Sequence, residues 1–258
     1  MHAEKGTPLA PTRGALIGSD IHGQKRLMRA QILTARDNLP PEIRRLKSHA
    51  VCRMLEPLLV DAVRNGGDRI PLIAAYASMK SELDLLPLIE SERAAAWEWC
   101  FPCMIAVDEM ADTGIDAPSP TGSHQRTTVV AGTKAPDPCD SATCRMKSRM
   151  EFFRVPRAAA LARTAPFLAR PTRSFDRVSL EDRGFTWVDP SEINAVLVPL
   201  VGFDARFNRL GYGGGNYDRF LASIRESTFV TGVAFEEQRV SSIPCEAHDR
   251  PLPLVVSA

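Results

Sequence analysis

Ala195-Val-Leu-Val-Pro-Leu-Val-Gly-Phe-Asp-Ala-Arg-Phe-Asn-Arg-Leu-Gly-Tyr-Gly-Gly-Gly-Asn-Tyr-Asp-Arg-Phe-Leu221 decides how the chain is read. Residues 195–201 are continuously apolar, the pattern of a strand buried on both faces of a parallel sheet. A turn carrying Asp204 and Arg206 follows. Then come Arg209, Leu210 and four glycines within five positions, Gly211, Gly213, Gly214 and Gly215, with Tyr212 among them. Apolar spacing resumes at Tyr217, Phe220, Leu221 and Ile224, which suits a short helix. Strand, glycine loop and helix together make a cradle for phosphate. Glycines adopt backbone angles closed to other residues and let main-chain N–H groups approach an anion. The helix N-terminus adds partial positive charge, and Arg209 adds a full charge in a planar fork. Asp218, just inside the helix, is suited to hold Mg2+ beside a phosphate. Neither common nucleotide motif is present: there is no Gly-x-x-x-x-Gly-Lys-Ser/Thr, and Asn216 stands where Gly-x-Gly-x-x-Gly needs its third glycine. From the loop alone, a glycine-rich turn without a ligand is the alternative.

The rest of the chain sets bounds. Its 258 residues suffice for one good core, and 44% hydrophobic and 24% charged residues are ordinary for a globular protein. A net charge of +1 gives no reason to expect a nucleic acid or a membrane surface. No apolar run is long enough to span a bilayer, and the N-terminus lacks the apolar core of a signal peptide. Residues 1–20 read as a loose leader, and a cytoplasmic location is expected. Cys100-x-x-Cys103 and Cys139/Cys144 have spacings seen in zinc sites, but the first pair lies in a strand-like run and the second in a low-complexity stretch.

In chain order, residues 22–38 form a predicted helix capped by Asp20, with Lys25 and Arg29 four apart on one face. Such a pair is commonly just a solvated basic face. Residues 41–65 form a second helix with an apolar stripe of Ile43, Leu46, Ala50, Met54 and Leu58, bent by Pro57 and stopped by Asn65-Gly66-Gly67. A buried strand covers Ile70–Tyr76, and Tyr76-Ala-Ser-Met-Lys-Ser-Glu-Leu-Asp84 occupies the strand end where open α/β sheets place ligands. A helix is predicted over 83–98 and a strand over Cys100–Val107. Residues 108–148, rich in Gly, Pro, Ser, Thr and Asp, read as an insertion. Met150–Val155 reads as an edge strand, and Phe229–Phe235 as another strand.

The central run resembles the signature of the 5-formyltetrahydrofolate cyclo-ligase family. Phe203, Asp204, Arg209, Leu210, Gly211, Gly213, Gly215, Tyr217, Asp218 and Arg219 match, and Asn208 and Asn216 depart from it. The resemblance covers about residues 22–107 and 150–257. It implies an α/β fold, an open, mostly parallel sheet with helices on both faces similar to the NagB/RpiA/CoA-transferase-like fold, as a single domain over 21–258. It also implies ATP as co-substrate and Mg2+ as metal, with a reduced folate bound by a monomer. ATP would be held by Lys25, Arg26, Arg29, Arg209, Leu210, Gly211, Tyr212, Gly213, Gly214, Gly215 and Tyr217, with Lys25 and Arg209 catalytic. The folate would meet Tyr76, Met79 and Glu82, and Mg2+ would meet Asp218 and Asp249. Arg170 stands where the family has a glutamate, and Pro253 where it has a final aspartate. With Asn216, these departures leave a second reading, a non-catalytic relative that binds nucleotide or folate for regulation. A sugar-phosphate isomerase or acyl-transfer enzyme on a similar scaffold would turn over without ATP, and a zinc-stabilised interaction module would carry stoichiometric metal.

Overall fold

A strand that is apolar at every position needs cover on both faces, and the architecture supplies it. The computed structural model describes residues 20–64, 69–107, 148–246 and 249–258. Helices α1 (Ile21–Asp37) and α2 (Pro41–Val63) lead into β1 (Leu72–Ala74), α3 (Leu86–Glu90), β2 (Glu98–Ala106) and β3 (Ser148–Val155). Then follow α4 (Arg157–Leu161), α5 (Pro166–Ala169), β4 (Ser174–Phe175), α6 (Arg177–Glu181) and β5 (Ala195–Pro199). The chain finishes with β6 (Gly202–Phe203), β7 (Arg209–Leu210), α7 (Asn216–Leu221), β8 (Phe229–Ala234) and β9 (Val255–Ser257).

The main sheet has seven strands in the order β3-β2-β1-β5-β8-β9, with β4 also paired to β2. Pairing is parallel throughout except at the edge, where β3 runs antiparallel to β2. Along β5, Ala195 and Leu197 enter one core and Val196 and Val198 the other. The first core lies under α2 and α3 (Val51, Leu55, Leu59, Leu88). The second lies under α7, where Phe220 stacks on Phe152 with ring centroids 4.2 Å apart. A small third cluster, Ile32, Val201, Leu210 and Ile243, seats α1 against the β6–β7 hairpin. From β1 the sheet grows outward to β2 on one side and to β5 on the other. The crevice beyond the strand ends at such a reversal is where open α/β sheets bind ligands.

Several elements differ from the sequence reading. The predicted stripe of α2 is out of phase: Ile43, Leu46, Met54 and Leu58 are exposed, while Ser48, Val51, Cys52, Leu55 and Leu59 are buried. Both sets have helical spacing, and only the docking of α2 on the sheet chooses between them. The helix continues through Pro57, and its predicted stop at 65–67 lies outside the described residues. The helix predicted over 83–98 is instead α3 followed by one 3-10 turn at Arg93–Ala96, because the backbone turns extended at Ser91. Asp20 precedes α1 but makes no side-chain cap bond. The strand predicted over 70–76 pairs as β1 only at Leu72–Ala74, although burial continues through Tyr76. Residues 1–19 of the leader and 108–147 of the insertion predicted over 108–148 lie outside the described residues, and Ser148 already belongs to β3.

Gln238 fastens the ends of β5 and β8 together. It is 2% exposed; its Nε2 donates to Leu200 O (2.7 Å) and Val201 O (3.0 Å), and its Oε1 accepts from Phe235 N (2.8 Å). Removing a buried polar partner costs the desolvation of the groups left behind. Gln238→Ala is therefore expected to lower unfolding free energy by about 2–4 kcal/mol in urea titration; a loss below about 1 kcal/mol would contradict this role.

Candidate functional site

The cleft opens where the topology places it, beyond the ends of β1 (Tyr76, Ala77, Met79) and β5 (Pro199). Its volume is about 480 Å³, within the range of small-molecule sites.

One side is built by the glycine loop. At its base Asp204 is buried and ties the turn: Oδ1 accepts from the N–H groups of Arg206 (2.9 Å) and Asn208 (3.1 Å), and Oδ2 from Asn208 Nδ2 (2.9 Å) and Ile243 N (3.1 Å). Burial alone would raise the Asp204 carboxyl, but these donors outweigh it and hold it below the ordinary value. Asn208, a departure from the family signature, thus serves the turn. Gly213 (φ +98°) and Gly215 (φ +63°) occupy left-handed backbone that disfavours side chains. A Cβ on Gly213 would also sit 3.5 Å from the Arg29 guanidinium carbon. The following α7 is only six residues long, so its dipole adds less than the sequence pattern suggests.

The cations come from α1 and β7. Lys25, Arg29, Ile32 and Arg36 follow at helical intervals and share one face of α1. Lys25 Nζ bonds to Glu246 (2.9 Å) and Asp249 (2.6 Å). Burial alone would lower its pKa, but the two carboxylates outweigh burial and raise it. Arg29 Nε donates to Gly211 O at 2.7 Å. The side chain of Arg209 is 6% exposed; it pairs with Asp218 and stands 5.9 Å from the Tyr217 ring centroid.

A second part of the cleft is apolar. Met104 of β2 lies opposite Met150 of β3, and both line the cleft with Pro102, Met79, Pro171 and Tyr217. Glu82 is the buried carboxylate there. Its Oε2 accepts from Met79 N at 2.8 Å and its Oε1 from the Tyr212 hydroxyl. Burial raises its pKa, against the opposing pull of Tyr212, the Met79 N–H and the Arg36 charge. No helix begins at Glu82; α3 starts at Leu86. Among the described residues the buried Tyr217 hydroxyl has no hydrogen-bond partner. Tyr76 contributes its ring, while its hydroxyl donates to Leu83 O at 2.8 Å.

Lys25, Arg29, Arg209, Leu210, Gly211, Tyr212, Gly213, Gly214, Gly215, Tyr217, Asp218, Asp249, Tyr76, Met79 and Glu82 thus share one cleft. Arg26 does not: it points from the exposed face of α1 and is not among the cleft residues. Sequence reasoning missed Arg36, Ser81 and Glu246. The spacing 25, 29, 32, 36 carried the signal for Arg36. The Met104–Met150 pairing carried none, since its two residues are 46 positions apart.

Asp218 and Asp249 both line the cleft, each already paired with a cation. Among the described residues no three His, Cys, Asp or Glu side chains converge as a metal cage. Mg2+ characteristically takes one or two carboxylates and completes its shell with phosphate oxygens and water. The donor set fits a metal arriving with a nucleotide. Cys100 and Cys103 point to opposite faces of β2, into separate cores, so they cannot chelate one zinc ion. Burial raises both thiols, Cys103 to about 12. Cys139 and Cys144 lie outside the described residues.

Comparison with known proteins gives one family. The model described as the 5-formyltetrahydrofolate cyclo-ligase family matches residues 21–258. The 5-formyltetrahydrofolate cyclo-ligase of Haemophilus influenzae is 43% identical over 63 residues, 24% of this chain and 34% of that protein. That of Escherichia coli K12 is 43% identical over 68 residues, 26% and 37%. The matched stretch thus spans about a third of the length of these relatives. Among solved structures, a 5,10-methenyltetrahydrofolate synthetase of Mycoplasma pneumoniae aligns with TM-score 0.56 at 18% identity, over 90% of this chain and 98% of that one. The Aquifex aeolicus 5,10-methenyltetrahydrofolate synthetase aligns with TM-score 0.52 at 22% identity, over 90% and 89%. These two likenesses establish the fold.

Proposed function

The chain belongs to the 5-formyltetrahydrofolate cyclo-ligase family, and from that premise we propose that it converts 5-formyltetrahydrofolate to 5,10-methenyltetrahydrofolate with ATP and Mg2+. The observation that carries the reading is the meeting, in one cleft, of a glycine loop with Lys25, Arg29 and Arg209 and of an apolar wall holding the buried Glu82. Ring closure requires the formyl oxygen to become a leaving group. That oxygen attacks the terminal phosphorus of ATP and ADP departs. N10 then attacks the formyl carbon, the carbon–oxygen bond breaks, phosphate leaves and N10 loses its proton. Such a reaction asks for positioning and charge neutralisation rather than a protein nucleophile. Loop amides cradle the phosphates, while Lys25, Arg29 and Arg209 offset their charge. Glu82 accepts N–H donors of the pterin ring, which lies against Met79, Met104 and Met150. Asp218 and Asp249 would hold Mg2+, which supplies further charge neutralisation when bound.

Of the three departures that favour a non-catalytic relative, only Asn216 lines the cleft. Its amide contacts Met104 Sδ (3.7 Å) and accepts from Arg219 (2.6 Å). Arg170 and Pro253 are exposed and not among the cleft residues. The same reading makes the protein a cytoplasmic monomer acting on a small molecule, without nucleic-acid or membrane partners. Among the described residues no helix is long and apolar enough to cross a membrane.

The test is to incubate the purified chain with 5-formyltetrahydrofolate, Mg2+ and ATP and to follow methenyl absorbance. Product should form only with ATP, one ADP per ring closed. Binding of both ligands without product would favour the regulatory alternative, and turnover without ATP would favour an isomerase or acyl-transfer enzyme.

A further inference from the structure

Tyr212 lies in the glycine loop, yet its hydroxyl leaves the loop and enters the apolar part of the cleft. There it accepts from Arg36 Nη1 at 2.9 Å and donates to Glu82 Oε1. Arg36 is 3% exposed and is itself fixed: its Nε donates to Ser81 Oγ at 3.0 Å, and Ser81 bonds onward to Asp37. The other oxygen of Glu82 is held by Met79 N. One hydroxyl therefore joins a buried cation on α1, a buried carboxylate after β1, and the loop between Gly211 and Gly213. Arg29 already ties the preceding residue, Gly211, to the same face of α1.

We propose that Tyr212 and Arg36 are positioning residues that link the phosphate loop to the Glu82 pocket, so that filling one half of the cleft strengthens binding in the other. The proposal rests on the folate and nucleotide reading above. A carboxylate oxygen has two lone pairs. Glu82 Oε1 can keep the Tyr212 hydrogen bond while it receives an N–H from a ligand. A ligand that fixes Glu82 then also fixes Tyr212, and with it the flanking glycines whose amides face phosphate. The ordering cost of the loop is met once, by whichever ligand binds first. Linkage makes the effect reciprocal.

The experiment measures the dissociation constant of 5-formyltetrahydrofolate with and without saturating non-hydrolysable ATP analogue and Mg2+. In the wild-type chain the analogue is expected to tighten folate binding about tenfold. Tyr212→Phe removes one oxygen; Arg36 keeps its bond to Ser81 and Glu82 its bond to Met79 N, so the fold is expected to be retained, which urea unfolding checks. In that variant the ratio should fall to about one, and the analogue's own affinity should lose its dependence on folate by the same factor. In a Glu82→Gln background, Tyr212→Phe should change the ratio no further, as a shared element requires. An unchanged ratio in Tyr212→Phe overturns the proposal while leaving the cyclo-ligase reading intact. A wild-type chain that binds neither ligand overturns both.

Discussion

Arg209→Ala is expected to lower kcat for ATP-dependent ring closure by about 10²–10³-fold, with a much smaller effect on KM for the folate. Two anchors hold the guanidinium, the Asp218 carboxylate and the Tyr217 ring, and its side chain is 6% exposed. A cation fixed in this way costs no reorganisation as charge builds on the phosphoryl oxygens. An interaction stronger in the transition state than in the ground state appears in kcat. The stability effect should be small. Asp218 is 52% exposed and returns to water when its partner is lost, a change of about 0–1 kcal/mol. Arg209→Lys keeps the charge but not the planar fork and should recover part of the rate. Methenyl absorbance gives kcat and KM, and urea unfolding gives stability. A loss in kcat under about tenfold, worth ~1.4 kcal/mol, would remove Arg209 from the mechanism.

What could be read from the sequence was whatever is local. The run from Ala195 to Leu221 carries its own strand, turn, glycine loop and helix, and these form as β5, the Asp204 turn, the loop and α7, whereas the β6–β7 pairing on either side of that turn was not read. Glycines at 213 and 215 announce left-handed backbone because few other residues tolerate it. Lys25 and Arg29 were legible as a pair on one helix face, and the same counting would have reached Arg36. What could not be read depends on docking. The buried face of α2 is selected by its contact with the sheet, and the chain offers two stripes of helical spacing. Arg26 sits beside Lys25 in sequence but a hundred degrees around the helix, as the helical repeat dictates, and so faces away. The Met104–Met150 wall is created by an antiparallel pairing that no local pattern specifies. Tyr212 occupies a loop position where its neighbours suggested a main-chain role; its side chain acts only because Glu82 and Arg36 converge on it from other elements.

Lys25→Met should raise the dissociation constant of an ATP analogue about 100-fold, or ~2.7 kcal/mol, a larger loss than one exposed phosphate contact would give. Lys25 is 7% exposed and its ammonium is shared between Glu246 and Asp249. Because its folded pKa lies above the ordinary lysine value, the charge is complete at neutral pH. Its contribution to stability is fully present below the unfolded pKa of about 10.4 and is lost only as pH rises through the higher folded value. At neutral pH the substitution therefore does two things together. It removes a cation from the phosphate side of the cleft, and it removes one positive charge from beside Glu246 and Asp249. The local charge becomes more negative by one unit, against a ligand carrying several negative charges. Folate affinity measured without nucleotide should change far less, since Glu82 lies in the apolar part of the cleft with partners of its own. Calorimetric titration of both ligands against both proteins separates these effects. A nucleotide affinity within about threefold of wild type, less than ~0.7 kcal/mol, would show that Lys25 serves only to pair with Glu246 and Asp249.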